Sequence, residues 1–406
     1  MKQVSRMTAV ALAAAALTGN ALAVDVAGFE VTGYSRGGPV FTYDKDTGVK
    51  GGLSLSGDLQ KYRLGNEGDN GVEVNIARTV EMNGAKVKFD YMPVKWGSDN
   101  IATDQAFVEV SGLAVDPGAS FWIGQRRNRI NDVHIVDRFL MDYGNKHLGA
   151  GVNGLSVGGA KLGLAMHSAA SFDNALPVGV NASRLNAHLS EIKTNEGGKA
   201  QLLLTVVSGS GLGATRNSGS SLGLSHDQSD FLVKGLNNTF WLQTSQGHAS
   251  LSGNFLNIKT PVAGDTSTAG AKGNRIADAV NWQMGAWGGQ ALVGYQTSKS
   301  DMNQVETKDF SLGGRVSYAV SQNFKLLLDA GTTTRKEDGK ADQRLNKVTF
   351  APALALSQDF WSRPELRFYV TRGNWNTAAA LANPTTFGKN GKTSQTLVGV
   401  QYEIWW

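Results

Sequence analysis

The chain of 406 residues contains no cysteine and only eight prolines. The missing cysteine excludes disulfides, thiol chemistry and thiolate metal sites. Scarce proline beside 50 glycines favours paired strands with tight turns over a disordered chain, which would carry more proline and fewer apolar residues.

Long apolar runs are also missing outside the N-terminus. The first 23 residues have the pattern of a secretory signal, with Lys2 and Arg6 before the apolar segment 7–17 and the small-residue cleavage motif at 21–23. No later run reaches the roughly 18 apolar residues of a membrane-spanning helix. We therefore expect a signal peptide over 1–23 and one exported domain over 24–406, in the periplasm, in the outer membrane or outside the cell.

The mature chain has no strong charge of either sign. Without Lys2 and Arg6, 37 basic side chains face 34 acidic ones, with no polybasic run, which argues against a nucleic-acid partner. The six histidines form no close pair, so we predict neither a metal site nor any other cofactor.

Period-two alternation is the main structural signal, and it is clearest in the last strand. One face carries Val398, Val400, Tyr402, Ile404 and Trp406, and the other carries Leu397, Gly399, Gln401, Glu403 and Trp405. Similar segments recur, separated by glycine-rich turns, and sustained helical periodicity is missing. An apolar face towards lipid and a mixed face towards a wet lumen are typical of a transmembrane strand.

These patterns predict an all-β fold, a transmembrane antiparallel β-barrel. At roughly 21 residues per strand and connection, the mature chain accommodates 16 to 18 strands, a size that leaves an aqueous channel. A soluble β-propeller or β-helix is the alternative, but neither shows the expected fixed-length repeat.

Segments in the same order along the chain resemble the maltoporin family of sugar-specific outer-membrane porins. They are Gly33–Gly37, Lys61–Glu67, Phe121–Arg126, Asp132–Asp137, Phe360–Pro364 and Glu403–Trp406. The resemblance implies 18 strands, a homotrimer and a third loop folded into each lumen as a constriction.

The family moves sugars along a line of aromatic rings, the aromatic slide, flanked by an ionic track. Rings stack on the apolar faces of pyranoses, and charged groups exchange hydrogen bonds with hydroxyls. The resemblance assigns the slide to Tyr34, Trp361 and Trp405. Two further candidates are Trp96, as a ring offered to a neighbouring subunit, and Phe255, as another slide position. It assigns the track to Arg36, Arg63, Glu73, Asp132 and Asp137. For each residue the alternative is a girdle aromatic, a solvated wall charge or a stabilising ion pair.

The chain also departs from the family pattern. Gly71 stands where the family has a second slide tyrosine, and Val108 and Ile130 replace two track arginines, although the adjacent Arg129 could substitute. Phe139 replaces the constriction tyrosine, and the first-loop disulfide of the family cannot form. These changes predict a thinner slide and a different preference among sugars.

We interpret the chain as an outer-membrane channel of a Gram-negative bacterium for facilitated diffusion of maltose- or maltodextrin-like sugars, and not as an enzyme. Its expected partners are the carbohydrate, outer-membrane lipid and a periplasmic sugar-binding protein. A general diffusion porin, a porin for another sugar and a purely structural barrel remain alternatives. A barrel hydrolase would need a nucleophile elbow, and Gly219–Gly223 matches that pattern without the strand–turn–helix context that it requires.

We expect the exported protein to begin at Val24, because cleavage follows the small residue at position 23. The intact mass of protein purified from outer membranes tests this directly. A mass that includes residues 1–23 would contradict the assignment.

Overall fold

The computed structural model describes residues 23–42, 52–144, 146–174, 181–210, 218–256, 271–299, 305–388 and 391–406. Apart from Ala23, the predicted signal peptide lies outside these residues.

Strands make up most of the described chain. The first eleven are β1 (Val24–Val26), β2 (Phe29–Gly37), β3 (Val40–Thr42), β4 (Gly71–Met82), β5 (Ala85–Trp96), β6 (Ala102–Ser111), β7 (Ser120–Gln125), β8 (Arg129–Val133), β9 (Arg138–Asp142), β10 (Leu148–Val157) and β11 (Ala160–Ser168). The others are β12 (Asn181–Asn195), β13 (Gly198–Ser210), β14 (Ser218–Gln228), β15 (Leu236–Gly247), β16 (Lys272–Met284), β17 (Trp287–Lys299), β18 (Glu306–Ser321), β19 (Phe324–Glu337), β20 (Gln343–Ala355), β21 (Glu365–Trp375) and β22 (Ser394–Trp405). A 3₁₀ helix covers His134–Val136, and two short α-helices cover Thr377–Ala382 (α1) and Pro384–Phe387 (α2).

The strands close into a barrel. Each wall strand pairs antiparallel with the next, and the last strand, β22, pairs with both β2 and β3. Because β2 and β3 together form one wall strand, and β1 is only a short arm on β2, the described wall contains 18 strands. The predicted antiparallel barrel is confirmed.

The closing seam joins the two ends of the sequence. Tyr34 on β2 lies opposite Trp405 on β22. Backbone hydrogen bonds run from Gly33 N to Trp406 O at 3.0 Å and from Trp406 N to Gly33 O at 3.1 Å. The last residue is therefore part of the wall.

Burial alternates along the wall as the sequence predicts. Val400 and Tyr402 are 44% and 40% exposed, whereas Gln401 and Glu403 are 3% and 0% exposed. The outer face is therefore apolar and the inner face polar, which is the arrangement that a wall between lipid and water requires.

The connections differ between the two ends of the barrel. The end that carries the start of β2, the end of β22 and the connection 356–364 is called here the turn end. The opposite end, the loop end, carries loop 1, loop 3 and loop 6. The described residues are 52–70 in loop 1, 126–144 and 146–147 in loop 3, and 248–256 and 271 in loop 6.

Loop 1 packs against the inner wall. The ring of Tyr62 is buried and lies over Gly331 on β19, where any added Cβ would overlap the ring. The Tyr62 hydroxyl is 3.0 Å from the Ser311 hydroxyl on β18. Glycine at this wall position is therefore what lets loop 1 lie flat inside the barrel.

Loop 3 crosses the lumen, as predicted for the constriction. Its buried side chains Val133, Ile135 and Leu140 join Tyr62 in one apolar cluster. Backbone and wall hold it: Arg63 N donates to Ile135 O at 2.8 Å, and Ile135 N donates to Gln290 Oε1 at 3.0 Å. Loops 1 and 3 therefore form one packed unit inside the barrel.

The helices of the described residues are short. None of them is long and apolar enough to cross a membrane.

Replacing Tyr62 by alanine should release loop 1, because truncating a buried aromatic ring costs about 3 kcal/mol or more. We expect a higher single-channel conductance and faster proteolysis within 52–70, with the barrel still folded. Tyr295→Ala is the matched control, because Tyr295 lies on the outer face and is 41% exposed. Unchanged conductance and proteolysis in Tyr62→Ala would show that loop 1 does not depend on this contact.

Candidate functional site

Strand register places the candidate residues in two adjacent rows across the closing seam. One row contains Trp405, Tyr34 and Glu73, and the next contains Glu403, Arg36, Gly71 and Trp96. Each row runs around the wall across neighbouring strands. The local alternation of the strands turns these side chains inward.

The phenol of Tyr34 is fixed by charged partners. Its hydroxyl donates to Glu403 Oε1 at 2.9 Å and accepts a hydrogen bond from Arg63. Arg63 also contacts Glu67 at 3.1 Å and Glu403 at 2.9 Å. The ring of Tyr34 is thus held at one edge by a network that reaches from the wall into loop 1.

Trp96 fills the space beside Gly71. A Cβ at position 71 would overlap the indole of Trp96. The ring lies 6.1 Å from the Tyr34 ring, centroid to centroid, and the guanidinium of Arg36 lies 4.6 Å from the Trp96 centroid. Trp96 therefore packs against its own wall, beside Tyr34 and Arg36.

Two further rings lie near the turn end. His134 of loop 3 makes edge contacts with Trp361 at 5.4 Å and with Trp405 at 5.8 Å between centroids. Arg363 lies 4.3 Å from the Trp405 centroid, and Trp361 is 37% exposed. The structure thus brings both tryptophans against His134 in the 3₁₀ helix of loop 3, and Trp361 remains partly exposed.

His134 occupies the centre of this contact. Its Nδ1 lies 3.1 Å from Arg63 Nη1, and its Nε2 lies 3.7 Å from Glu403 Oε2. Burial, reinforced by the positive charge of Arg63, lowers the pKa of His134 well below its ordinary value. A neutral imidazole therefore accepts from the arginine and supports the two indoles.

Asp137 is the most strongly charge-paired acid of loop 3. Its carboxylate lies 2.7 Å from Lys61, 3.3 Å from Arg36 and 3.7 Å from Arg63. Burial alone would raise the pKa of Asp137, but these three cations hold it well below its ordinary value. Asp137 therefore stays ionised at neutral pH.

The other two track acids differ from Asp137. Glu73 forms an ion pair with Arg127 at 2.9 Å, and Arg127 also contacts Asp104. The Asp132 carboxylate lies 3.9 Å from Nδ1 of the neutral His134 ring. Burial raises the pKa of Asp132 to about 7, although Arg63 opposes the shift.

A cavity of about 660 Å³ lies between loops 1, 3 and 6. Phe139, Phe255, Arg129 and Asp137 are among the residues that line it. The Arg129 guanidinium lies 4.9 Å from the Phe139 centroid. We call this space the vestibule; because Asp137 lines it and also contacts Arg36, it adjoins the aromatic rows of the seam.

Phe255 belongs to the vestibule and not to the seam. Its ring contacts His147 at 4.9 Å between centroids, and Arg184 lies 4.6 Å from its centroid. It is therefore separate from the group formed by Tyr34, Trp96, Trp361 and Trp405.

Comparison with known proteins identifies the family of the chain. The family model described as "LamB porin" matches residues 29–406. The chain belongs to the LamB porin family. A curated relative, the maltoporin of Hahella chejuensis (strain KCTC 2396), is 26% identical, and the alignment covers 100% of this chain and 99% of that protein.

Solved structures with similar architecture include OmpT of Vibrio cholerae, at 10% identity and a TM-score of 0.44, covering 95% of this chain and 100% of that one. A mutant of the Rh. blastica porin has 13% identity and a TM-score of 0.42, covering 93% and 100%. The family match makes this protein an outer-membrane sugar porin of a channel family.

Several inward-facing ionisable residues of this porin were not assigned from the sequence. They are Lys61, Glu67, Asp69, Arg127, His134, Arg363 and Glu403. Lys61 and Glu67 lie in the motif that identified Arg63, and strand parity had already turned Glu403 inward. His134 and Arg363 lie within the motifs Asp132–Asp137 and Phe360–Pro364, so only Asp69 and Arg127 lie outside every segment that carried the resemblance.

The sites that the sequence analysis set aside can also be placed. Gly219–Gly223 lies inside strand β14, so Ser221 is on a straight strand and not on a strand–turn–helix. Among the described residues, no group of three or more potential ligands could hold a metal ion.

Asp137→Asn should make the channel more anion-selective, because Arg36, Lys61 and Arg63 lose a shared counter-charge at the constriction. The ratio of K⁺ to Cl⁻ permeability, from reversal potentials in a salt gradient, should fall severalfold. Since Asp137 stays ionised in the native protein, wild-type selectivity carries no titration of this group between pH 5 and pH 8. Glu196→Gln, at an exposed turn, is the control, and an unchanged ratio in Asp137→Asn would contradict the assignment.

Proposed function

We propose that this porin conducts maltose- or maltodextrin-like sugars by facilitated diffusion along Tyr34, Trp96, Trp361 and Trp405. The observation that supports this most is the grouping of four rings beside fixed charges at one seam. Rings offer stacking surfaces to pyranose faces, and the charges offer hydrogen bonds to hydroxyls.

The proposed path begins in the vestibule. A sugar entering from the loop end meets Phe139 and Phe255, passes Asp132 and Asp137, and then reaches the seam. Each contact is partial and exchangeable, so the sugar binds weakly at several places and still leaves.

The ionic track in this proposal is led by Arg36, Arg63 and Asp137. Their positions are fixed by mutual ion pairs, so they need little rearrangement when a hydroxyl replaces water. Glu73 contributes mainly through its pair with Arg127. At positions 108 and 130 the family pattern has arginines, and this chain has Val108 and Ile130. Arg129, whose guanidinium lies over the Phe139 ring, supplies a basic group in their place.

The proposal includes the biological setting. The protein is exported with cleavage after residue 23, works as a homotrimer, and passes sugar to a periplasmic binding protein. The structure of OmpT from Vibrio cholerae described as a "trimer form" shows the assembly of OmpT alone.

A general diffusion porin is the second candidate. It is favoured by Gly71, Val108 and Ile130, which remove one ring and two arginines from the family pattern. On this alternative, sugars would pass without saturable binding.

Titration of maltotriose against single-channel current in a planar bilayer separates the two candidates. We expect saturable block that reaches all three conductance steps of a trimer. Open channels without block would favour the general porin or a different sugar, which a series of other oligosaccharides would then identify.

Trp405→Ala should weaken the block by at least tenfold, equivalent to about 1.4 kcal/mol of binding free energy, because a stacking surface is lost. Trp287→Ala is the matched control, since Trp287 lies on the outer face and is 53% exposed. Equal block in Trp405→Ala and wild type would remove this ring from the path.

A further inference from the structure

Six consecutive wall strands, β16 to β21, each present one outward-facing cation near the loop end. They are Lys272, Lys299, Lys308, Lys336, Arg344 and Arg372. We call these residues the cation row.

Alternation along each strand shows that the cations face outward. On β16, Arg275 is buried, whereas Ile276 is 46% exposed and shares its face with Lys272. On β21, Arg372 shares its face with the exposed Val370. The cation row therefore continues the columns of apolar residues that face lipid. It lies at the loop end of these columns, where Lys272 and Lys299 also border the vestibule.

The register places like charges opposite each other. Lys272 lies opposite Lys299, and Lys308 lies opposite Lys336. Directly opposed like charges destabilise a sheet. Acids beside Lys308 and Lys336 offset part of this cost, so the cost is greatest at Lys272 and Lys299, which points to an anion that comes from outside the sheet.

Nearby acids compensate only part of the charge. Glu306 lies 3.5 Å from Lys308, and Asp342 lies 3.0 Å from Lys336. Arg372, in contrast, donates to the neutral hydroxyls of Thr396 and Ser394, at 2.9 Å and 2.6 Å, so these contacts leave its charge uncompensated.

The preceding strands have no such charge at the same level. On β12 to β15 the outward positions near the loop end are Ser183, Ser208, Ser220 and Gln246. The positive charge is therefore a property of one sector of the wall and not of the whole rim.

We propose that the cation row binds the anionic phosphate groups of lipid headgroups in the leaflet at the loop end. The row lies where the apolar face ends, which is the depth of the headgroups in a bilayer. At about 4.8 Å between strands, six strands span roughly 25 Å, enough for more than one headgroup. Lysine and arginine form strong charge-assisted hydrogen bonds with phosphate.

The test uses the full-length mature protein in phosphatidylcholine vesicles, with and without lipid A, a glycolipid that carries two phosphates. One variant, called the belt variant, removes four charges of the cation row together: Lys272→Gln, Lys299→Gln, Arg344→Gln and Arg372→Gln. The matched control replaces four lysines at the turn end, Lys86, Lys161, Lys193 and Lys234, by glutamine. Lipid A retained per barrel is measured by mass spectrometry after gel filtration, together with the apparent unfolding temperature.

We expect wild type and the control variant to retain lipid A and to unfold at a higher temperature with it. The belt variant should retain at least fivefold less and lose the temperature shift. A second variant carries only Lys272→Arg and Lys299→Arg, so it keeps the positive charge at all positions of the cation row. It should behave like wild type, which shows that the loss in the belt variant comes from the missing charge and not from misfolding.

Equal lipid A retention by the belt variant would overturn the proposal. So would the same temperature shift in inorganic phosphate at matched phosphate concentration, since that indicates a free-anion site. Dissociation of trimers in the belt variant without loss of lipid would assign the surface to a second copy of the chain. None of these readouts depends on sugar block, so failure here leaves the proposed transport function standing.

Discussion

The buried carboxylate of Glu403 holds the functional seam together. It is 0% exposed and contacts Arg63 at 2.9 Å, Arg363 at 2.9 Å and also Arg367. These partners come from loop 1, from the connection 356–364 and from β21. One carboxylate on the last strand therefore fixes three separate segments. A buried charge with good partners is costly to unpair, by about 3–5 kcal/mol for loss of one partner, so these segments keep one arrangement.

Around this carboxylate, the ring positions follow from charge positions. Arg63 orients Tyr34 and His134, His134 supports Trp361 and Trp405, and Arg36 lies over Trp96. The aromatic surface is thus rigid because each ring touches a paired cation or a neutral imidazole. A stacking surface that is already ordered loses little further entropy when a ligand arrives.

Much of this architecture was predictable from the sequence, because alternation reports on one strand at a time. The strand 396–406 indicated the barrel and turned Trp405 and Glu403 inward without knowledge of any partner. Contacts between strands could not be derived that way. The pairing of Glu73 with Arg127 and the position of Trp96 over Gly71 depend on register, which a periodic pattern in a single strand does not contain. The roles of the ring and track residues remain predictions.

The seam also has a consequence for the order of assembly. Tyr34 and Glu403 are separated by 369 positions in sequence, so the arrangement around them exists only after the first and last wall strands have met. Contacts of such long sequence separation carry a large loop-closure cost and form late. A partly assembled, open sheet would therefore have a lipid-facing surface but no ordered ring path, and it would acquire that path in the same step that removes its last unpaired edges.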